Sequence, residues 1–131
     1  MTVACHCRDC QKMSGGAFSI TMFVKSDTFE LLRGELMVFE RDADKGSKAL
    51  CYFCPLCSNR IYHVNPDAPE FFRLKSGVLD DTSQIIPQVH CWTSRAQPWL
   101  KFTDDLPKHE SQPDDLGSYL REIMGKTDAI I

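Results

Sequence analysis

The chain has 131 residues, which is enough for one domain with its own core and too few for two of ordinary size. Its composition of 43% hydrophobic and 25% charged residues is typical of a globular protein, and its net charge of −3 disfavours nucleic-acid binding, which needs a basic surface. Since no stretch is apolar enough to span a bilayer and no secretion signal precedes the first cysteines, we expect a cytoplasmic protein without membrane partners.

Five of the seven cysteines fall into two groups near the start and middle of the chain, and Cys51 and Cys91 stand apart. Three lie within the first ten residues, and a C-x2-C pair follows at positions 54 and 57. Seven is an odd number, so complete disulfide pairing within one chain is impossible. In a reducing compartment, cysteines clustered in this way are more often metal ligands or reactive thiols than disulfide partners.

Short segments rich in β-branched and aromatic residues predict β-strands along most of the chain. These segments are 17–24, 28–33 and 35–41 joined as a hairpin at Gly34, 48–53, 60–64, 71–76 and 86–92. Residues 42–47 are polar and predict a turn, and the two prolines within 65–69 predict a loop. Because no helix separates these strands, we expect a mainly β fold, a sandwich of short antiparallel strands, over residues 1–113.

One helix is predicted at the C-terminal end, where residues 114–131 form a helix and tail. Apolar side chains recur at helical spacing, as Leu116, Tyr119, Leu120, Ile123 and Met124. Asp114 and Asp115 suit a helix N-terminus, and Gly125 is a candidate stop. We expect the apolar stripe to pack on the sheet; the alternative is that it contacts a second copy in a homodimer.

The first cysteine group, Cys5-x-Cys7-x2-Cys10, offers three thiolates from one short loop. Structural zinc sites usually take four protein ligands, whereas catalytic zinc sites take three and keep one position open. A tight turn, with Gly15 and Gly16 just beyond it, can direct three sulfur atoms at one ion. We therefore predict a zinc site whose open position accepts water or an external thiol.

The second group, Cys54-x2-Cys57, supplies half of a tetrahedral site. It can be completed by Cys7 and Cys10, which gives one structural zinc with four thiolates. Buried thiols without metal and an iron–sulfur cluster are further alternatives that the spacing leaves open.

The motifs together resemble a known family. "CHCRDCQKMSGGAFS", "FCPLCSNRIY", "SGVLDD" and "PQVHCWTSRAQPW" followed by "LPKHESQP" are similar to motifs of the glutathione-dependent formaldehyde-activating enzyme family, in the same order and over roughly residues 4–113. That family includes proteins similar to centromere protein V. The resemblance implies a β-tent fold.

The resemblance also implies two zinc sites. One is catalytic and is held by Cys5, Cys7 and Cys10; the other is structural and is held by Cys54, Cys57 and an upstream C-x-C pair. The sequence departs from this pattern because Met1 lies four residues before Cys5, which leaves no room for the upstream pair. A shortened or mis-started chain would explain this gap equally well. A smaller departure is Ser58, where the family usually has glycine.

The function that the resemblance implies is the reversible addition of glutathione to formaldehyde or a similar small electrophile, which is carbon–sulfur lyase chemistry like that of S-(hydroxymethyl)glutathione synthase. Zinc is the implied metal and glutathione the co-substrate, so the expected partners are a small thiol and an aldehyde. The alternative is a non-catalytic binding module stabilised by one zinc on Cys7, Cys10, Cys54 and Cys57.

Four further residues are candidate glutathione contacts. Arg8 and Lys12 can pair with its carboxylates, and Ser14 can hydrogen-bond near the cysteine loop. His90 can relay a proton. His6 lies between two predicted ligands, and we expect its side chain to point away from the metal.

Overall fold

The computed structural model describes residues 1–43 and 46–127 of the chain. Within them the structure contains more strand than helix, which confirms the predicted mainly β fold. The elements are β1 Thr2–Cys5, α1 Arg8–Ser14, β2 Ser19–Lys25, β3 Met37–Asp42, β4 Lys48–Phe53, β5 Arg60–Asn65, β6 Ala68–Lys75, β7 Val89–Cys91 and α2 Leu116–Thr127.

The chain divides into two compact units. Unit 1 combines Met1–Ile20 with the chain from Ile85 onwards, and unit 2 is Thr21–Gln84. Unit 1 therefore holds the first cysteine group, and unit 2 holds the second. The predicted boundary at residue 113 concerns a different division of the chain, and it stays a prediction.

Unit 2 is built on antiparallel strands in the order β3-β4-β5-β6-β2. Aromatic rings line one face of this sheet: Tyr62 stacks on Tyr52 with the ring centroids 4.4 Å apart and on Phe72 at 4.5 Å. Ring burial of this kind supplies much of the stabilisation of a small β structure, because each aromatic side chain removes a large apolar area from water.

Unit 1 pairs the first strand of the chain, β1, with the last described strand, β7. Strand β1 pairs with β7 in parallel, in a register that places Val3 beside Val89 and Cys5 beside Cys91. A parallel pair was not anticipated from the sequence, since its strands are separated by more than 80 residues. Val89 and Leu120 are almost fully buried in this unit.

Strand β4 is confirmed with its predicted ends, and β2, β5, β6 and β7 are confirmed with shifts in their ends. The predicted hairpin at Gly34 is wrong, because residues 29–34 form no strand. Strand β3 pairs instead with β4 through the following turn, where Gly46 adopts the left-handed φ of 81°. Residues 44 and 45 of that predicted turn lie outside the described residues.

Two further predictions about loops and short elements need correction. The loop expected over 65–69 is a tight turn at Pro66 and Asp67, since Ala68 and Pro69 already belong to β6. The Asn65 side chain accepts a hydrogen bond from the Asp67 backbone N–H at 2.9 Å, which closes this turn. Strand β1 and helix α1 were not predicted at all.

The predicted C-terminal helix is confirmed as α2, but it continues past the predicted stop at Gly125 to Thr127. Asp115 accepts a hydrogen bond from the Ser118 backbone N–H at 2.8 Å, which stabilises the helix start. Leu120 is the buried member of the apolar stripe. The Met124 side chain and residues 128–131 lie outside what the structure describes.

No helix in the described ranges, 1–43 and 46–127, is long and apolar enough to cross a membrane.

The packing of α2 gives a first prediction. Leu120 is 2% exposed, so we expect Leu120→Ala to lower the free energy of unfolding by about 2–5 kcal/mol through lost burial and the cavity that remains. Ile86→Ala is the control in the same unit, since Ile86 is 72% exposed and its truncation should cost under about 0.5 kcal/mol. Urea unfolding measures both; equal losses would contradict this packing.

Candidate metal and thiol site

Three cysteine sulfur atoms meet at the junction of β1 and α1. Cys5 is the last residue of β1, Cys7 immediately precedes α1, and Cys10 lies in the first turn of that helix. Their Sγ atoms all lie within 4.8 Å of one another. The predicted grouping of these three residues is therefore present in the structure, although a helix rather than a tight turn produces it.

The backbone around Cys7 explains why the helix begins there. Cys7 has extended φ and ψ angles of −62° and 157°, and its Sγ accepts a hydrogen bond from the Cys10 backbone N–H at 3.3 Å. This is the capping interaction that serine or aspartate usually makes at a helix start. Gly15, with a left-handed φ of 63°, ends the helix after seven residues.

The three thiols perturb one another. Hydrogen bonds with Cys10 and then Cys7, followed by burial, raise the pKa of Cys5 well above its usual range. The hydrogen bond with Cys10 likewise raises the pKa of Cys7. Burial, with a contribution from the neighbouring Cys10, raises the pKa of Cys91 to about 11. Without a cation, the Cys5, Cys7 and Cys91 thiols therefore stay protonated at neutral pH, because burial and the neighbouring thiols disfavour their charged forms.

The geometry of the cluster fits a zinc ion. Zinc–sulfur bonds of about 2.3 Å in a tetrahedron place ligand sulfurs about 3.8 Å apart. Sulfur atoms within 4.8 Å of one another reach that spacing through small side-chain rotations. All seven cysteines are present as thiols, and soft sulfur ligands suit zinc. Within residues 1–43 and 46–127, this is the one group of three or more metal-binding side chains.

Three side chains next to the cysteine cluster, those of His6, His90 and Asp104, form a hydrogen-bonded row. His6 is fully buried, and its Nε2 lies 3.0 Å from Nδ1 of His90. Nε2 of His90 lies 3.0 Å from Oδ2 of Asp104. The hydrogen bond with His90, followed by that with Lys108, lowers the pKa of Asp104 to about 2, so this carboxylate is ionised at neutral pH.

His6 does not belong to the sulfur group, and the expectation that it points away from a metal stays a prediction. Burial, and then the neighbouring His90, lower its pKa, so its ring is neutral at physiological pH. His90 was predicted to contact glutathione, and that contact stays a prediction. Both of its ring nitrogens already have hydrogen-bond partners.

Helix α1 is anchored by glutamine side chains that the sequence analysis missed. Nε2 of Gln11 donates to the backbone oxygens of His6 at 2.7 Å and Arg95 at 2.8 Å. Gln97 donates to Oε1 of Gln11 at 2.7 Å. Arg95 and Gln97 lie more than 80 positions after Gln11, and no local sequence pattern connects them with it. Asp104 was missed because no local pattern connects it with His90.

The other predicted glutathione contacts lie on or next to α1. Arg8 and Lys12 are exposed there, where an anionic ligand can reach them. Ser14 is also exposed, and its Oγ donates to the Phe18 backbone oxygen at 3.2 Å and to that of Gln11 at 3.4 Å. Ser14 thus closes the end of the helix, and its contact with glutathione stays a prediction.

The second cysteine pair lies in a turn of unit 2. The Ser58 backbone N–H donates to the Cys54 oxygen at 2.9 Å, and the Cys54 N–H donates to the Asn59 oxygen at 2.9 Å. Ser58 has a left-handed φ of 60°, a conformation that glycine adopts without strain. Cys54 and Cys57 belong to no group of three or more ligands among the described residues. The predicted metal site there stays a prediction.

Residues 1–95 match the family model described as the glutathione-dependent formaldehyde-activating enzyme. The match covers most of the 131 residues, including both cysteine groups and His90. The chain belongs to this family. No curated protein matches it. The family resemblance inferred from the sequence motifs is therefore confirmed, and membership supports glutathione and formaldehyde as the small-molecule partners of this formaldehyde-activating family member.

The different thiol environments give a second prediction. Backbone hydrogen bonds from Leu56 and Cys57 lower the pKa of Cys54, whereas that of Cys5 is raised. The thiolate is the reactive form, so in metal-free protein near neutral pH iodoacetamide should label Cys54 well before Cys5, and the difference should shrink as the pH rises. Peptide mass spectrometry measures both rates.

Cys51 is the control in this experiment. It shares a strand-and-turn segment with Cys54 but is fully buried, so it should stay unlabelled while the protein is folded. Labelling of Cys5 as fast as that of Cys54 would contradict the proposed coupling among the three clustered thiols.

Proposed function

We propose that this protein is a zinc-dependent enzyme that binds glutathione and catalyses its reversible addition to formaldehyde or a similar small aldehyde. The addition forms a carbon–sulfur bond and transfers the thiol proton to the carbonyl oxygen, which gives S-(hydroxymethyl)glutathione. The reverse direction is a carbon–sulfur lyase reaction. The observation that carries the proposal is the three-sulfur group at β1 and α1 in a chain that belongs to the formaldehyde-activating family.

Cys5, Cys7 and Cys10 would hold the zinc ion. Only a few per cent of a free thiol is ionised at neutral pH, and a zinc ion held by these residues would favour the thiolate form of an external thiol. Loading the site requires the three cysteines to release their protons, so metal affinity rises with pH. The raised pKa values of Cys5 and Cys7 extend this dependence through neutral pH and above.

The remaining residues bind and orient the substrate. Glutathione carries two carboxylates, and the exposed cations Arg8 and Lys12 stand on the helix that holds Cys10. Gln11 fixes that helix against the backbone of His6 and Arg95, so the charged side chains and the sulfur atoms keep their relative positions. Catalysis of an addition that is already easy comes mainly from such positioning.

The alternative from a different class is a non-catalytic module with one zinc on Cys7, Cys10, Cys54 and Cys57. It requires ligands from both units. Its distinguishing property is that it needs Cys57 and does not need Cys5, whereas the three-sulfur site has the opposite requirement. A cytoplasmic location and a homodimer also remain predictions from the sequence, and neither is needed for the reaction.

The proposal predicts how zinc binding responds to single substitutions. Cys5→Ser should weaken zinc binding by more than the roughly 10–100-fold that loss of an outer-shell partner costs, because it removes a direct ligand. Cys57→Ser is the matched control, and it should keep the zinc that Cys5→Ser loses. Competition with a chromogenic chelator measures both affinities. The reverse pattern would establish the four-cysteine module instead.

Glutathione calorimetry and formaldehyde turnover complete the test. Zinc-loaded wild type should bind glutathione with measurable heat, and metal-free protein and Cys5→Ser should not. Nuclear magnetic resonance should detect the hydroxymethyl adduct forming faster with the zinc-loaded protein than in buffer. Zinc-loaded protein that neither binds glutathione nor accelerates adduct formation would overturn the enzymatic proposal.

A further inference from the structure

The ionised Asp104 carboxylate sets the donor-to-acceptor direction of the hydrogen bonds in the row of His6, His90 and Asp104. The Asp104 carboxylate is ionised and can only accept a hydrogen bond, so Nε2 of His90 carries the proton that it receives. When the His90 ring is neutral, that proton leaves its Nδ1 bare, and Nδ1 accepts from Nε2–H of His6. Neutral His6 is left with a bare Nδ1, and the structure describes no hydrogen-bond partner for that buried atom within residues 1–43 and 46–127.

Every other polar atom of His6 takes part in a hydrogen bond. Its backbone N–H donates to the Cys91 oxygen at 2.9 Å, and its backbone oxygen accepts from Gln11 at 2.7 Å. Its ring nitrogen Nε2 meets His90. Because His6 is the single residue between Cys5 and Cys7, the position of its backbone sets where both of those side chains begin.

The ring of His6 is also confined from the sides. The centroid of Phe18 lies 5.2 Å from that of His6, and Phe102 lies 5.3 Å away in an edge-on contact. Phe102 packs against His90 as well, with the ring centroids 4.8 Å apart. A ring confined by these two aromatic neighbours can adopt few orientations, and the hydrogen bond between His6 and His90 selects one of them.

We infer that Asp104 and His90 are positioning residues that orient the His6 ring and thereby hold the three cysteine sulfur atoms in their metal-binding arrangement. Asp104 acts from the surface, where its side chain is 41% exposed, on a site whose sulfur atoms it does not touch. This inference rests on the proposed function for its biological purpose. The positioning itself can be tested in the metal-free protein.

The variants follow from the hydrogen-bond geometry. Asp104→Ala removes the acceptor for His90. Asp104→Asn is the conservative variant, because its amide oxygen can still accept from His90 although the charge is lost. Asp105→Asn is the matched control, since it removes a neighbouring exposed carboxylate that makes no contact with the row in the described structure.

The first measurement reports the tautomers directly. In the metal-free wild-type protein, long-range proton–nitrogen nuclear magnetic resonance spectra should show that His6 and His90 each carry the proton on Nε2 and have a bare Nδ1. Asp104→Ala should give a mixture of tautomers at His90 and His6, and Asp105→Asn should match wild type. Wild-type rings protonated on Nδ1, or tautomers unchanged in Asp104→Ala, would overturn the inference.

The second measurement reports the sulfur arrangement. Asp104→Ala should weaken zinc binding by about 10–100-fold, the usual effect of losing a partner that orients a site, and Asp104→Asn should recover part of that loss. Asp104→Ala should also raise the rate at which iodoacetamide labels Cys5 in metal-free protein, because the hydrogen bonds among the sulfurs loosen. Unchanged labelling and unchanged zinc affinity would overturn the inference.

Two further outcomes separate this inference from its alternatives. A merely structural role predicts that Asp104→Ala lowers the free energy of unfolding while leaving tautomers and the labelling rate of the folded protein unchanged. If wild type binds no zinc, the proposed function fails, and tautomers and labelling in the metal-free protein still decide whether Asp104 positions the cluster.

Discussion

Crowding of three sulfur atoms within 4.8 Å is the constraint on which the rest of unit 1 depends. Thiols can share that space while they are protonated, and thiolates can share it only around a cation. The fold must therefore fix the backbone of a six-residue segment closely enough to keep the sulfurs together in either state. Helix capping by Cys7 and the pairing of β1 with β7 both serve this purpose.

The two ends of the chain build this support jointly. Residues near the start provide the sulfur atoms, and residues after position 85 provide their surroundings. Gln11 illustrates the arrangement, since its amide group bridges the backbone of His6 and that of Arg95. Each of these hydrogen bonds costs side-chain entropy. In return, the site is already organised before a metal ion or a thiol binds.

Much of the fold could be predicted from local patterns. Strand β4 was predicted with its observed ends, because a continuous run of apolar and aromatic residues after a polar turn is a strong local feature. The Gly34 hairpin failed because residues 28–33 have strand-like composition without a pairing partner, and Leu32 is 84% exposed there. Helix α1 was missed because its seven residues are too few for a helical period, and its start is set by a cysteine cap.

The sequence by itself determined the spacing of the clustered cysteines and the family. The spacing of Cys5, Cys7 and Cys10 is covalent, so it limits how far apart the sulfurs can lie in any fold, and the linear motifs identified the family that the match over residues 1–95 confirmed. Only the tertiary structure decided that His90 and Asp104 form a hydrogen-bonded row with His6. That arrangement depends on the parallel register of β1 and β7, and register over more than 80 intervening residues results from packing of the whole unit, which no local pattern encodes.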